Sequence, residues 1–294
     1  FYSEMGGQCG DSGILTGKNG TFSVTNTTSP YKGIICHQGT VTAGTISLRE
    51  SLTAQVNWPR RQAIANNHTA THLLHWALHK VLGEHAKQAG SVVDEEHLRF
   101  DFSHHKAMTP NELKTIEQLI NAKIRENLPV TCYEIPYSEA QKRADIKQFF
   151  GEKYGTNVRV IDIDFSKELC GGTHTSRTGN IGYFRITKEG SIAAGVRRIE
   201  AVTGAYAEAF AYSSEDELQT IAEKLKTPQL KIKERIDKMN EELKHLHDQV
   251  KGLKKIQQLQ LVSSLLPLII SKNGHPFIAK EIDTTPAELK DIAE

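Results

Sequence analysis

The stretch Arg60-Arg61-Gln62-Ala63-Ile64-Ala65-Asn66-Asn67-His68-Thr69-Ala70-Thr71-His72-Leu73-Leu74-His75-Trp76-Ala77-Leu78-His79-Lys80-Val81-Leu82-Gly83 is the most informative part of the chain. Its apolar positions Ala63, Leu73, Leu74, Ala77, Leu78, Val81 and Leu82 recur at helical spacing, and Gly83 supplies a stop. Residues four apart share one helix face, so His68 and His72 turn their imidazoles to the same side. A helix that offers two metal-ligating rings from one face is a candidate half-site.

On the N-terminal side, residues 1–58 are rich in Gly, Thr, Ser and β-branched side chains. Thr21-Phe22-Ser23-Val24-Thr25, Gly33-Ile34-Ile35-Cys36-His37 and Thr45-Ile46-Ser47-Leu48 read as short strands separated by turns such as Gly17-Lys18-Asn19-Gly20. The spacing predicts a small β-barrel. On the C-terminal side, residues 59–212 mix helices and strands. Strands are expected at His97–Phe102, Val130–Ile135, Val158–Ile163 and Gly182–Ile186, and a helix after Thr109-Pro110 with Leu113, Ile116, Leu119, Ile120 and Ile124 on one face. The expected class is α+β, a small barrel followed by a core with helices on one face of a sheet. Residues 213–266 turn helical and polar, with Ile232, Ile236, Met239, Leu243, Leu246, Val250 and Leu253 in a heptad seam. That is a long helical coil, mildly basic outside, with dimerisation through it or the C-terminal region as one use and RNA contact as another. Pro267 ends it, and residues 267–294 read as the truncated start of a further domain.

Composition narrows the function. Hydrophobic residues make up 38% and charged residues 24%, ordinary for a globular protein, and no apolar run is long enough to span a membrane. A start on Phe1 and an end in the helical-looking 286–294 stretch suggest an excised piece of something larger. The net charge is +1, so no global basic field marks a nucleic-acid binder. RNA contact would have to come from local pairs such as Arg60-Arg61, Lys142-Arg143 or Arg197-Arg198, each of which also reads as a solvated surface pair. Cys9, Cys36, Cys132 and Cys170 are scattered, and without a secretory signal they are expected to be reduced thiols in a cytoplasmic protein.

The second half-site is Cys170-Gly171-Gly172-Thr173-His174, where two glycines allow a tight loop to aim a thiolate and an imidazole at one point. His68, His72, Cys170 and His174 together form a set that suits tetrahedral Zn²⁺. Two rival metal chemistries lack their parts. A zinc peptidase needs Glu directly after the first His, where Thr69 stands. A base deaminase needs His-x-Glu with a later Pro-Cys-x-x-Cys, and neither is present.

His68-Thr-Ala-Thr-His72-Leu-Leu-His75 with Cys170-Gly-Gly-Thr-His174 resembles the editing domain of alanyl-tRNA synthetases and of their free-standing trans-editing relatives. The opening Phe1-Tyr2-Ser3-Glu4-Met5-Gly6-Gly7-Gln8-Cys9-Gly10-Asp11-Ser12-Gly13 is similar to the glycine motif that begins that domain, although Met5 and Cys9 stand where small or apolar residues are common. Gln88-Ala89-Gly90-Ser91, Leu98–Phe102 and Gly195–Gly204 also match family segments, and the resemblance covers residues 1–212. It implies a glycine-motif barrel and an α+β editing core shared with threonyl-tRNA synthetase. It implies Zn²⁺ on His68, His72, Cys170 and His174, and hydrolysis of tRNA(Ala) mischarged with serine or glycine. It places Gln88 on an active-site glutamine and Thr71 on a threonine that recognises the serine hydroxyl. The aminoacylation motifs are absent, so no alanine activation is expected. A closed four-ligand zinc is the structural pattern, so either one ligand is labile or zinc shapes the pocket and anchors the substrate amine. Removal of glycine is not explained by a hydroxyl-reading pocket. The rivals are a free-standing trans-editing deacylase and a non-catalytic zinc-stabilised tRNA-binding module. Arg60, Arg61, Arg197 and Arg198 are the candidate phosphate contacts.

Overall fold

The computed structural model describes residues 1–31, 33–148 and 155–281, so the helical-looking stretch at 286–294 lies outside the described residues. The chain divides into two compact units, Phe1–Ser213 and the remainder from Ser214.

In the first unit, strands β1 (Gly13–Thr16), β2 (Gly20–Tyr31), β3 (Ile34–Gly44) and β4 (Thr53–Val56) form an antiparallel four-stranded sheet in the order β3-β2-β1-β4. The expected strand at Thr45–Leu48 is absent: β3 ends at Gly44, and Leu48 is 93% exposed. The segment instead curls around Glu50, whose carboxylate accepts the backbone N–H groups of Ser47 and Lys18 at 2.9 Å each.

After this sheet come α1 (Trp58–Leu82), β5 (Gln88–Val93), β6 (Leu98–Ser103), α2 (Pro110–Arg125), β7 (Thr131–Pro136), the short α3 (Tyr137–Ala140), β8 (Ile146–Lys147), β9 (Asn157–Asp162), β10 (Lys167–Leu169), β11 (Phe184–Ala193), β12 (Val196–Thr203) and α4 (Gly204–Lys224). Asn57 caps α1 by accepting Arg60 N–H, and Gly83 closes it at φ 103° with its N–H on His79 O. Gly is needed there because L side chains rarely adopt that angle. Thr109 and Glu112 form a reciprocal capping box at the start of α2, as the Thr-Pro signal predicts.

Two further sheets follow, in the orders β11-β12-β6-β5 and β7-β9-β10-β8. One core joins them: Leu73, Leu74, Ala77 and Leu78 of α1 pack with Phe100 and Phe102 of β6, Ile116 and Ile120 of α2, and Ile161 of β9. Each such fully buried side chain contributes about 1.5–3 kcal/mol relative to exposure. The middle of α1, from Ile64 to Leu78, is buried on nearly all sides, and this carries His68 and His72 into the interior. The mixed α+β class read from the sequence is thus what the first unit forms.

Asp11 ties the N-terminal segment to α1. It is 1% exposed and accepts from Arg61 Nε at 2.8 Å, from Arg61 Nη2 and from the Tyr2 backbone N–H. Burial opposes its ionisation, but the Arg61 guanidinium and the Tyr2 N–H hold the carboxyl below its usual range. Asp11→Asn is expected to cost about 1.5–3 kcal/mol at neutral pH, the range for hydrogen bonds to charged groups. A depressed folded-state value gives stability that is present above the unfolded carboxyl value near about 3.9 and lost as pH falls through the folded one. Urea unfolding at several pH values should therefore show the gap between wild type and variant closing in acid.

In the second unit, α5 (Ile232–Leu265) is one continuous helix, followed by a hairpin of β13 (Ile270–Lys272) and β14 (His275–Phe277). Its heptad positions Ile236, Leu243, Leu246, Val250 and Leu253 are exposed along the helix. None of the described helices is long and apolar enough to cross a membrane.

Candidate metal centre

Helix α1 delivers His68 and His72 from successive turns, with the rings stacked at 5.5 Å between centroids. The loop after β10 delivers Cys170 and His174. One ligand atom from each of the four side chains lies within 4.8 Å of the others. Cys170 Sγ is 3.3 Å from His68 Nε2 and 3.3 Å from His174 Nε2. A tetrahedral Zn²⁺ with bonds of 2.0–2.3 Å sets its ligands about 3.3–3.8 Å apart. His72 Nε2 is buried without a hydrogen-bond partner among the described residues. An orphaned buried nitrogen is costly, and a metal ion would satisfy it. The three-imidazole, one-thiolate set and its spacing fit zinc.

Each imidazole is oriented from behind through Nδ1. His68 Nδ1 lies 2.7 Å from Gln8 Oε1, and His174 Nδ1 lies 3.2 Å from Thr69 Oγ1. Thr69 gives its own hydrogen to Ala65 O at 2.8 Å, so its oxygen accepts from His174. His72 Nδ1 is hydrogen-bonded to Glu168 Oε2, while Glu168 Oε1 lies 3.0 Å from His75 Nδ1. All three rings thus hold Nε2 toward the common point, the arrangement by which outer groups tune metal ligands. Gln8, Thr69 and Glu168 carry no local signal for this task; only the fold brings them to the rings.

Burial opposes ionisation of Cys170, yet the His68 and His174 imidazoles beside it hold the thiol well below its usual value. Burial and the neighbouring His68 push His174 down to about 3, which keeps it neutral as a ligand must be. Burial disfavours a charged Glu168, but the His72 contact holds it ionised; against burial the same contact raises His72, whose Nε2 must give up its proton to bind a metal.

Of the two glycines in the loop, Gly172 is the one that space demands. A Cβ there would sit 2.0 Å from His68 Cε1 and 2.8 Å from Gln8 Oε1. At Gly171 a Cβ would meet only Met5 Cε, at 3.3 Å. Close approach explains Gly172, so the sequence reading of two equivalent hinge glycines needs narrowing. Arg159 of β9 holds the loop from outside by donating to Gly171 O at 3.3 Å and to Gly172 O.

Thr71 and Gln88 face the same small cavity as His68, His72 and Cys170, about 40 Å³ in volume. Gln88 opens strand β5. Thr71 Oγ1 donates to Asn67 O at 2.9 Å, so toward the cavity it offers lone pairs only. A larger cleft of about 690 Å³ adjoins the loop, lined by Tyr2, Met5, Glu134, Asn157, Arg159 and Cys170.

The four candidate phosphate-binding arginines are engaged internally. Arg60 pairs with Glu95 at 2.7 Å and Arg61 with Asp11. Arg197 forks onto Glu189 at 2.6 and 2.8 Å, and Arg198 onto Asp101 at 2.6 and 2.9 Å. Glu200, two residues beyond Arg198, is the partner of neither in these bidentate pairs.

Residues 158–200 match the family described as threonyl and alanyl tRNA synthetase second additional domain, and residues 1–60 match the class II (A) tRNA synthetases. The segment that carries Cys170 and His174 is thus that of a synthetase-associated second additional domain. The chain is 50% identical over 266 residues, 90% of its length, to an alanine–tRNA ligase of Chlamydia muridarum (strain MoPn / Nigg). It is 49% identical over 270 residues to that of Chlamydia caviae, and 48% identical over 256 residues to that of Francisella tularensis subsp. mediasiatica. It belongs to the alanyl-tRNA synthetase family, and spans about 30% of the length of the curated relatives it matches.

Proposed function

We propose that this chain hydrolyses the ester of tRNA(Ala) mischarged with serine or glycine, with Zn²⁺ held by His68, His72, Cys170 and His174. The observation that carries this reading is the convergence of those four donors on one point, with His68, His72 and Cys170 also lining the cavity that Thr71 and Gln88 face. When bound, zinc would act as a Lewis acid toward the lone pair of the neutral substrate amine and would keep the four side chains in place. The remaining work falls to the chain. Gln88 orients water or the ester carbonyl, since its amide both donates and accepts. Burial keeps bulk water from the pocket, and the adjoining cleft has room for the terminal nucleotide. The four internally paired arginines serve structure first, leaving phosphate contact a minor role for them.

The same reading assigns residues 1–58 to a glycine-motif barrel, 59–212 to the editing core, 213–266 to a coil and 267–294 to the start of a C-terminal domain. The exposed seam of α5 is suited to dimerisation through the coil.

Four protein donors are also the pattern of a purely structural zinc, which favours a non-catalytic tRNA-binding module as the second reading. One assay separates them: Ser-tRNA(Ala) incubated with the metal-loaded chain, with and without prior chelation. Metal-dependent release of serine supports the deacylase. Binding with the ester intact sinks it.

Thr71 gives a test of selectivity. Its hydroxyl hydrogen is spent on Asn67 O, so the serine hydroxyl would donate to Thr71 Oγ1. Thr71→Val should slow Ser-tRNA(Ala) deacylation by about 3- to 10-fold, the worth of one neutral hydrogen bond. Gly-tRNA(Ala), which has no hydroxyl, should be nearly unaffected. A ratio of the two rates equal to that of the wild type would remove Thr71 from the selectivity argument.

A further inference from the structure

Gln8 lies in the Gly6-Gly7-Gln8-Cys9-Gly10 run, inside the 1–60 segment that matches the class II synthetases, yet its side chain is fully buried against the other matched region. Its Oε1 accepts the Thr173 backbone N–H at 2.8 Å, and its Nε2 donates to Thr173 Oγ1 at 2.9 Å. A backbone N–H only donates, so the amide atom facing it is the oxygen. That oxygen only accepts, so His68 Nδ1, 2.7 Å away, carries the ring hydrogen. His68 Nε2 therefore keeps its lone pair, and it is this atom that lies 3.3 Å from Cys170 Sγ. One amide thus sets the tautomer of a helix ligand and fastens the loop that carries Cys170 and His174.

We propose that Gln8 is the positioning residue of the metal centre, so that the N-terminal segment governs how tightly the ion is held. The proposal rests on the zinc reading above. The segment is itself held beside β5, with Cys9 N–H donating to Val93 O at 3.0 Å and Val93 N–H to Gly7 O at 2.8 Å. Gly7 has φ 91°, and a Cβ there would meet Ser91 O at 2.2 Å. Only glycine at that position lets the segment come close enough for Gln8 to reach the loop.

The test is Zn²⁺ affinity of the full chain in competition with a chromophoric chelator, together with the absorption spectrum of the Co²⁺-loaded form. Gln8→Leu should weaken binding by about 10- to 100-fold, the usual effect of losing an outer partner of a metal-bound histidine, and should perturb the Co²⁺ bands. Gln8→Glu should stay near wild type, because a carboxylate still accepts from His68 and Thr173 N–H while the Thr173 hydroxyl turns to donate. Gly7→Ala, which touches no donor, should fall with Gln8→Leu. Circular dichroism of the metal-stripped forms checks folding, and if Gln8→Leu fails to fold, the other two variants decide. Wild-type affinity in Gln8→Leu or Gly7→Ala, or a Gln8→Glu as weak as Gln8→Leu, would overturn the proposal. A wild-type chain that takes up no zinc would instead overturn the zinc reading on which it stands.

Discussion

Replacing Cys170 with Ala is expected to weaken Zn²⁺ binding by more than about 100-fold, since a four-donor site worth about 10–16 kcal/mol loses roughly a quarter of that with one ligand. Cys170 is the one thiolate among the four donors, and both 3.3 Å contacts that close the cluster end on its sulfur. The His68 and His174 imidazoles hold its thiol well below the usual value against the cost of burial, which favours the thiolate that a metal needs. Zinc content after dialysis against a competing chelator gives the readout. Cys36→Ala, at an exposed cysteine, is the control and should retain a full equivalent. Equal retention in Cys170→Ala would show that the cluster is not a metal site, and the hydrolytic reading would lose its footing.

The second large effect is expected at Glu168. Its carboxylate is 3% exposed and accepts from His72, from His75 and, at 3.3 Å, from Ser166 Oγ. Glu168→Ala leaves polar ring nitrogens facing a void and removes the charge that offsets His72. Breaking a buried pair by deleting one partner costs about 3–5 kcal/mol. Denaturant unfolding of the metal-stripped chain should show a loss of that size, and Glu168→Gln, which keeps an acceptor, a smaller one. Metal affinity should fall in both, because His72 loses the carboxylate that raises its basicity. If Glu168→Ala unfolds at the wild-type midpoint, the contact is not stabilising and His72 is oriented by some other group.

How much of this could be read from residues alone depends on the range over which each interaction acts. The helical period around His68-Thr-Ala-Thr-His72, the Thr109-Pro110 start and the heptads of α5 are local signals, and each element forms where its pattern lies. Strand β5 was hidden because Gln88-Ala-Gly-Ser breaks the alternation. It is held by pairing with β6, with an irregularity between Gln88 and Gly90, and by the bridge from Gln8 to Val93. Thr45–Leu48 erred in the other direction: it alternates, but its backbone turns about the Glu50 carboxylate, a contact no local pattern announces. In the site, the four donors were visible as two motifs, whereas Gln8, Thr69 and Glu168 act only through contacts that folding creates. The arginine pairs show the same limit: adjacency on the chain does not reveal Glu189 and Asp101, which the sheet brings to Arg197 and Arg198.

The donor set has a consequence for biosynthesis. His68 and Cys170 are 102 positions apart, and Gln8 and Thr173 are 165 apart. A nascent chain leaving the ribosome exposes its two helical histidines long before the thiolate exists to join them. Loop closure over such separations is slow compared with forming one helix. All four donors can close on one ion only once the Cys170 loop has docked on α1, so full coordination and assembly of this part of the core are one event.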